Sequence, residues 1–265
     1  MLVTQKLLNS LWNCYYAMNS QVPLIHQALL DYGEQEIVND HIAFRTYASS
    51  VIGLEQIIKP FQDLGWQLAG EYYFQEKKLR AVHLELESMP KIFVSELLLE
   101  QCSESLQQIV SEQLAVLPDI KVNSEFLTSG RWQQQKPDYQ IYQQLLAESE
   151  YAAWLYVFGI CPNHFTVYVN ALNKFDGIEA LNDFLLARNF VMNTAGGLVK
   201  GAKQDGLRQS STMAAKVEVE FTNNERYEIP CCYYEFAERF TLDGQLFQGF
   251  VTASADKIFQ STDSK

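Results

Sequence analysis

Two of the four histidines in this chain lie in short segments rich in β-branched and aromatic residues, His41 in "DHIAFRTY" (40–47) and His164 in "NHFTVYVN" (163–170). Such segments read as strands. A strand histidine either ligates a metal through a ring nitrogen or hydrogen-bonds within a half-buried sheet. Side chains on a strand alternate faces, so His41, Ala43 and Arg45 share one face, and at about 3.3 Å per residue the His41 and Arg45 Cα atoms lie roughly 13 Å apart. A flexible arginine at that distance suits bidentate capture of the remote carboxylate of a short diacid anchored at the histidine. A salt bridge to a neighbouring acid is the alternative. Glu96 in "FVSELLLE" (93–100) and Glu235 in "YYEFAERF" (233–240) are the acids of interest on later strands.

The elements that must position these residues show a pattern that occurs twice. Leu7, Leu8, Leu11, Trp12, Tyr15 and Tyr16 recur at helical spacing within 4–31, and Pro23 opens a second helical stretch. From residue 37 the pattern predicts a strand at 41–47, a helix at 50–64, and strands at 66–74, 79–87 and 91–99, a βαβββ order. Helical patterns follow at 103–117 and 141–158, separated by a polar, glutamine-rich stretch at 118–140 with two prolines. The order then recurs. "DHIAFRTY" aligns with "NHFTVYVN", and "GLEQIIKPFQDLGW" (53–66) with "GIEALNDFLLARNF" (177–190). Later, "VHLELE" (82–87) aligns with "KVEVEF" (216–221), and "FVSELLLE" with "YYEFAERF". Twenty residues separate His41 from Phe61 and twenty separate His164 from Phe184. Four matches in one order indicate an internal duplication.

The expected fold is therefore α+β: two pseudo-symmetric βαβββ modules, 37–100 and 159–250, forming a cupped mixed sheet in a single domain spanning 1–265. An N-terminal helical layer (1–36) and an inserted helical segment (101–158) accompany them. In such a cup the first strands bring His41 and His164 to equivalent places, and the last strands do the same for Glu96 and Glu235. Two imidazoles with one carboxylate make the facial set that leaves positions open on an octahedral ion and suits non-haem Fe(II) oxygen chemistry. His41, His164 and Glu235 are the chosen ligands. Glu96 is a fourth ligand, or an outer residue that orients a ligand or pairs with Arg45. His83, on the polar face of "VHLELE", matches Glu218 in the second repeat; that mismatch leaves it a substrate contact or an outer residue. His26 follows Leu24 and Ile25 with no acid or thiol at ligand spacing, and reads as structural.

Bulk properties narrow the partners. A net charge of −12, a pI near 4.8 and no lysine–arginine run argue against a phosphate-binding face, hence against nucleic acid. An anionic small molecule stays open, because one or two placed arginines suffice for it. No apolar run approaches the roughly 20 residues needed to cross a bilayer, so a soluble chain with no membrane partner is expected. The five cysteines (Cys14, Cys102, Cys161, Cys231, Cys232) lack CxxC spacing and are odd in number, and the N-terminus lacks a signal-peptide pattern. A reducing cytoplasm is the expected setting, with Cys231 and Cys232 as buried thiols.

In combination, "DHIAFRTY", "NHFTVYVN", "GLVKGAKQDGLRQSSTMA" and "IPCCYYEFAERF" resemble the 2-oxoadipate dioxygenase/decarboxylases, also called 2-hydroxyglutarate synthases, over roughly residues 35–250. That family is similar to the vicinal oxygen chelate superfamily of paired βαβββ modules, alongside glyoxalases and extradiol dioxygenases. The resemblance implies Fe(II) held by His41, His164 and Glu235, with Arg45 on the substrate. It also implies a 2-oxo acid near Gln209, Ser210, Ser211 and Thr212 of "GLRQSSTMA", for which an ordinary turn is the alternative. The implied reaction uses O2 to remove CO2 from 2-oxoadipate and hydroxylate the shortened acid to 2-hydroxyglutarate. Two other readings fit the same residues: a Zn2+ or Mn2+ lyase, isomerase or hydrolase, and a non-enzymatic protein that sequesters a small acid.

Overall fold

The computed structural model describes residues 2–117, 121–129 and 136–262. Of the polar, glutamine-rich stretch, residues 118–120 and 130–135 lie outside the described residues. Two N-terminal helices come first. α1 (Leu2–Met18) buries Leu7, Leu8, Leu11 and Tyr15, a single stripe. α2 (Gln21–Tyr32) buries Val22, Ile25 and Leu29 and stops at Gly33 in the left-handed region, φ 109°.

The first half runs β1 (Asn39–Tyr47), α3 (Leu54–Gln62), β2 (Gln67–Phe74), β3 (Leu79–Glu85) and β4 (Lys91–Leu97). A helical insertion follows: α4 (Glu104–Ala115), α5 (Ser124–Ser129), α6 (Tyr139–Glu148) and α7 (Glu150–Phe158). The helix expected at 141–158 is thus two helices. They break at Ser149, whose extended backbone lets its side chain accept from Ala152 N and start a new helix. The second half runs β5 (Pro162–Tyr168), α8 (Ile178–Leu186), β6 (Leu207–Ser211), β7 (Lys216–Glu220), β8 (Arg226–Pro230) and β9 (Tyr233–Arg239), with α9 (Thr252–Ile258) after it.

Seven strands make one mixed sheet in the order β2-β3-β4-β1-β5-β9-β6. β1 pairs in parallel with β4, and β5 in parallel with β9; β1 and β5 pair antiparallel at the junction, placing Ala43 opposite His164. Each half therefore contributes its first strand to the centre. Phe44 and Phe61 in one half, and Phe165 in the other, pack into the face covered by the helices, where Tyr15 of α1 lies 5.0 Å from Phe165, ring to ring. Burying each such ring is worth about 2–3 kcal/mol. The opposite face is concave and carries His41, Arg45, His164 and Glu235.

The duplication extends to a polar clamp at the start of each module helix. Glu96 accepts from Leu54 N at 2.9 Å and from Arg80 Nε at 2.8 Å, and Arg80 reaches Glu55 at 2.8 Å. In the second half Glu238 accepts from Ile178 N at 3.4 Å and Arg208 Nε at 3.1 Å, and Arg208 reaches Glu179 at 2.8 Å. Each carboxylate sits where a helix N-terminus favours negative charge. The preceding residues, Gly53 and Gly177, have no room for a Cβ, which would lie 2.2 Å from Ser49 O and 2.8 Å from a Glu238 carboxylate oxygen.

Two expected correspondences are corrected by this register. His41 faces Lys91 and His164 faces Tyr233, so two residues on the match for Glu235 is Phe93, while Glu96 matches Glu238. Residues 216–221 do not correspond to β3, because β7 pairs only with β8 in a separate two-stranded sheet, where Glu218 faces Glu228. The counterpart of β3 is β6: Arg80 pairs with Glu96 as Arg208 pairs with Glu238, which makes Ser211 the match for His83. The edge strand β2 is replaced by an irregular stretch that, among the described residues, bridges to β6 at Lys200–Gln209 and to the residue after it at Met192–Thr212.

Candidate metal centre

His41 and His164 come from adjacent antiparallel strands, with ring centroids 5.6 Å apart and planes nearly perpendicular. Glu235 enters from β9, beside β5. His164 Nε2 lies 3.1 Å from Glu235 Oε2 and His41 Nε2 3.6 Å from Oε1. One ligand atom from each of the three lies within 4.8 Å of the others, and all three side chains are buried.

The outer nitrogens settle which atoms face inward. Asp40 Oδ1 lies 2.7 Å from His41 Nδ1, and Asn163 Oδ1 lies 3.1 Å from His164 Nδ1. Burial works to raise the Asp40 carboxyl, but the Arg239 guanidinium outweighs it and holds the group far below the usual carboxylate range. A carboxylate only accepts, so His41 Nδ1 donates to Asp40, which turns Nε2 inward toward Glu235. Asn163, as oriented, does the same for His164. Burial also pushes His164 below its ordinary value, against the pull of Glu235, favouring the neutral ligand form. The residue directly before each histidine thus fixes its tautomer, an arrangement typical of metal-bound imidazoles.

This donor set fits a cation. His164 Nε2 and Glu235 Oε2 face each other across 3.1 Å, and neither has another hydrogen-bond partner among the described residues. Two lone pairs facing one another in a buried site are costly unless a positive charge lies between them. Gln209 Nε2 donates to Glu235 Oε1 at 2.6 Å, and the Thr166 hydroxyl lies 3.0 Å from His41 Nε2. His164 stacks on Tyr233 at 4.4 Å, and Phe250 stands edge-on to His41 at 4.8 Å. A cavity of about 630 Å³ reaches the Asp40–Arg239 pair from the helical side, lined also by Trp12 and Phe165. None of His41, His164 and Glu235 lines it.

The other expected site residues fall in different places. Arg45 is fully buried; Nη1 donates to Glu150 at 2.7 Å, Nη2 to Thr262 Oγ1 at 2.9 Å, and Nε has no partner. Its guanidinium lies 4.9 Å from the Tyr151 ring and 5.3 Å from Trp154. The salt bridge left open by the sequence is therefore present. Glu96 is not part of the metal group: its register opposite Thr46 turns it off the concave face, to Arg80 and the start of α3. His83 lies on the concave face between Tyr72 and Glu85, 2.9 and 3.0 Å away, with Phe250 against its ring. Ser211 bonds to Ser261, Ser210 to Asn182, and the Thr212 hydroxyl accepts from Tyr234 N. His26 packs against Trp12 and lies 2.7 Å from Tyr234 Oη. Cys231 and Cys232 are buried thiols with Sγ atoms 3.6 Å apart.

Asp40, Asn163, Arg239 and Glu150 escaped the sequence reading. The first two stand beside the histidines in the aligned motifs, and that shared polar position was the available signal. Arg239 holds Asp40 through Nε at 2.6 Å and Nη2 at 2.8 Å, and donates to Phe247 O and Gly249 O, anchoring the loop that delivers Phe250. Glu150 had no local signal. Among the described residues no helix is long and apolar enough to cross a membrane.

Paired modules in one sheet, with a buried two-histidine, one-carboxylate group where their first strands meet, define a vicinal oxygen chelate-like fold whose donor group could hold a metal. The model of the 2-oxoadipate dioxygenase/decarboxylase family matches residues 6–124 and 118–247. The chain belongs to that family. It is 33% identical over 256 residues to the chloroplastic 2-oxoadipate dioxygenase/decarboxylase of Arabidopsis thaliana, covering 86% of this chain and 69% of that one. Among solved structures, the rice hydroxyglutarate synthase in complex with 2-oxoadipate has a TM-score of 0.92 at 31% identity, covering 99% of this chain and 92% of that one. A Shewanella frigidimarina protein described as a hydrolase has a TM-score of 0.87 at 43% identity, over 94% and 98%. The fold likeness extends to the glyoxalase superfamily.

Proposed function

We propose that this chain converts a 2-oxo diacid, 2-oxoadipate, to 2-hydroxyglutarate and CO2, with Fe(II) as its metal and O2 as second substrate. The observation that carries this reading is the inward-facing His41, His164 and Glu235 set with its unpartnered buried atoms. Fe(II) held by His41, His164 and Glu235 would activate O2 and anchor the keto acid, whose oxidation supplies the electrons. The chain's own residues do the rest. Asp40 and Asn163 hold both imidazoles in the ligating tautomer, and Gln209 orients Glu235. Phe250 and Tyr233 keep bulk water from the ligands. Arg45 donates to the remote carboxylate through its Nε–H, which has no partner among the described residues, while Glu150 keeps the guanidinium charge balanced. The reaction balances: the substrate's first carbon leaves as CO2, and the two atoms of O2 end in the new carboxylate and the new hydroxyl. The thiols fit a reducing compartment such as the cytoplasm.

The test is anaerobic loading with Fe(II) and 2-oxoadipate, followed by O2. Equal amounts of O2 consumed, CO2 released and 2-hydroxyglutarate formed are expected; no O2 uptake and no CO2 reject the reaction. A second reading, a Zn2+ or Mn2+ hydrolase on the same ligands, is favoured by the description of the Shewanella relative. Turnover of a hydrolysable substrate that persists with Zn2+ in place of Fe(II) decides for it.

A further inference from the structure

Lys200 is 3% exposed, and no carboxylate lies within ion-pairing distance of it among the described residues. Its ammonium donates to Asn193 O at 2.5 Å and Leu198 O at 3.4 Å. An ammonium has three donors, so one is left over. Buried lysines are rare unless paired, and the usual partner is a carboxylate. Burial pushes this amine down to about 8, with Glu235 pulling the other way.

Its direction follows from backbone pairing. Lys200 N donates to Gln209 O at 2.7 Å and Gln209 N to Lys200 O at 2.8 Å, a directly opposed antiparallel pair whose side chains share a face. That face is the concave one, because Gln209 Nε2 reaches Glu235 there. Gln209 Oε1, on the same side-chain amide, also has no partner among the described residues.

We infer that Lys200 is a substrate-binding residue: its ammonium takes a carboxylate of the 2-oxo acid at the metal centre. The inference rests on the substrate class proposed above. Charge balance supports it. Arg45 is neutralised by Glu150 and Arg239 by Asp40. A divalent ion with Glu235 leaves one positive charge in the cup, and Lys200 adds a second, matching the two carboxylates of a diacid. Without Lys200 a buried dianion would keep one charge uncompensated.

The test is anaerobic calorimetric titration, with no turnover, of the Fe(II) protein with 2-oxoadipate and with 2-oxohexanoate, which lacks the remote carboxylate. Lys200→Gln keeps a donor for Asn193 O and removes the charge; Lys200→Met serves if the glutamine variant misfolds. Either should weaken 2-oxoadipate binding about 10- to 100-fold, and Lys200→Arg should recover part of it. A loss confined to 2-oxoadipate places the ammonium on the remote carboxylate, and an equal loss for both acids places it on the carboxylate beside the keto group. Folded, charge-free variants that bind both acids like wild type overturn the assignment and leave the proposed reaction standing. Wild-type protein that binds 2-oxoadipate but consumes no O2 does the reverse.

Discussion

The two halves share a skeleton and differ in their chemistry. On the outer side, both keep a glycine before the module helix, a carboxylate on its first N–H and an arginine bridging to a helix glutamate. On the concave side, position by position, the second half has Glu235, Gln209, Ser211 and Lys200 where the first has Phe93, Ala81, His83 and Tyr72. Only the histidines match. The clamp sets how each helix sits on its strands, so changing it in one half would disturb packing. The concave positions touch mainly one another and whatever binds there, which leaves them able to diverge. One half became a polar wall carrying two of the three candidate metal donors, His164 and Glu235, and the other an aromatic one.

The largest effect should come from the position where the halves differ most. Glu235→Gln is expected to remove the bound metal and at least about a thousandfold of activity, beyond the 10–100-fold typical of losing an outer partner of a ligand. Phe93→Leu, at the matching place, should leave metal stoichiometry unchanged. Elemental analysis of both variants checks the pair, and metal retained at full occupancy in Glu235→Gln would break the comparison.

The clamps should instead behave alike. Glu96→Gln and Glu238→Gln are each expected to cost about 1–2 kcal/mol of unfolding free energy in urea, with metal affinity unaffected. A loss of metal in Glu96→Gln would return that residue to the site.

The smallest effect concerns the helical side of the sheet. Burial lowers His26 to about 4, so the folded state disfavours its proton while the unfolded chain accepts one near 6.5. Its contribution is therefore complete above pH 6.5 and is lost as pH falls towards 4. Between pH 7 and 5.5 this amounts to about 1 kcal/mol. Melting curves of wild type and His26→Gln should converge over that range; parallel curves would assign the acid sensitivity elsewhere.

The histidine pair was legible because the two motifs place it at one register of two long matching segments. Glu235 was legible as an acid on the last strand, but its counterpart was misassigned. Counting along "FVSELLLE" finds the nearest glutamate, whereas the backbone pairing of β4 with β1 decides the face. "KVEVEF" misled for a related reason: alternation marks a two-faced strand without naming the sheet it joins. The true counterpart, Leu207–Ser211, is short and follows a stretch broken by Gly196, Gly197 and Gly201. Glu150 and Lys200 were invisible, since each reaches the cup through tertiary contacts that no local spacing records.

The antiparallel seam between β1 and β5 has a mechanical consequence. Backbone pairing carries across it, with register shifts between Asn39 and His41 and between Ala43 and Phe44, so the two imidazoles stand on one continuous sheet. That pairing opposes widening the gap between them by moving one half against the other. An ion of different radius held by His41, His164 and Glu235 would be met first by rotation of those side chains, with the shared sheet holding their backbones.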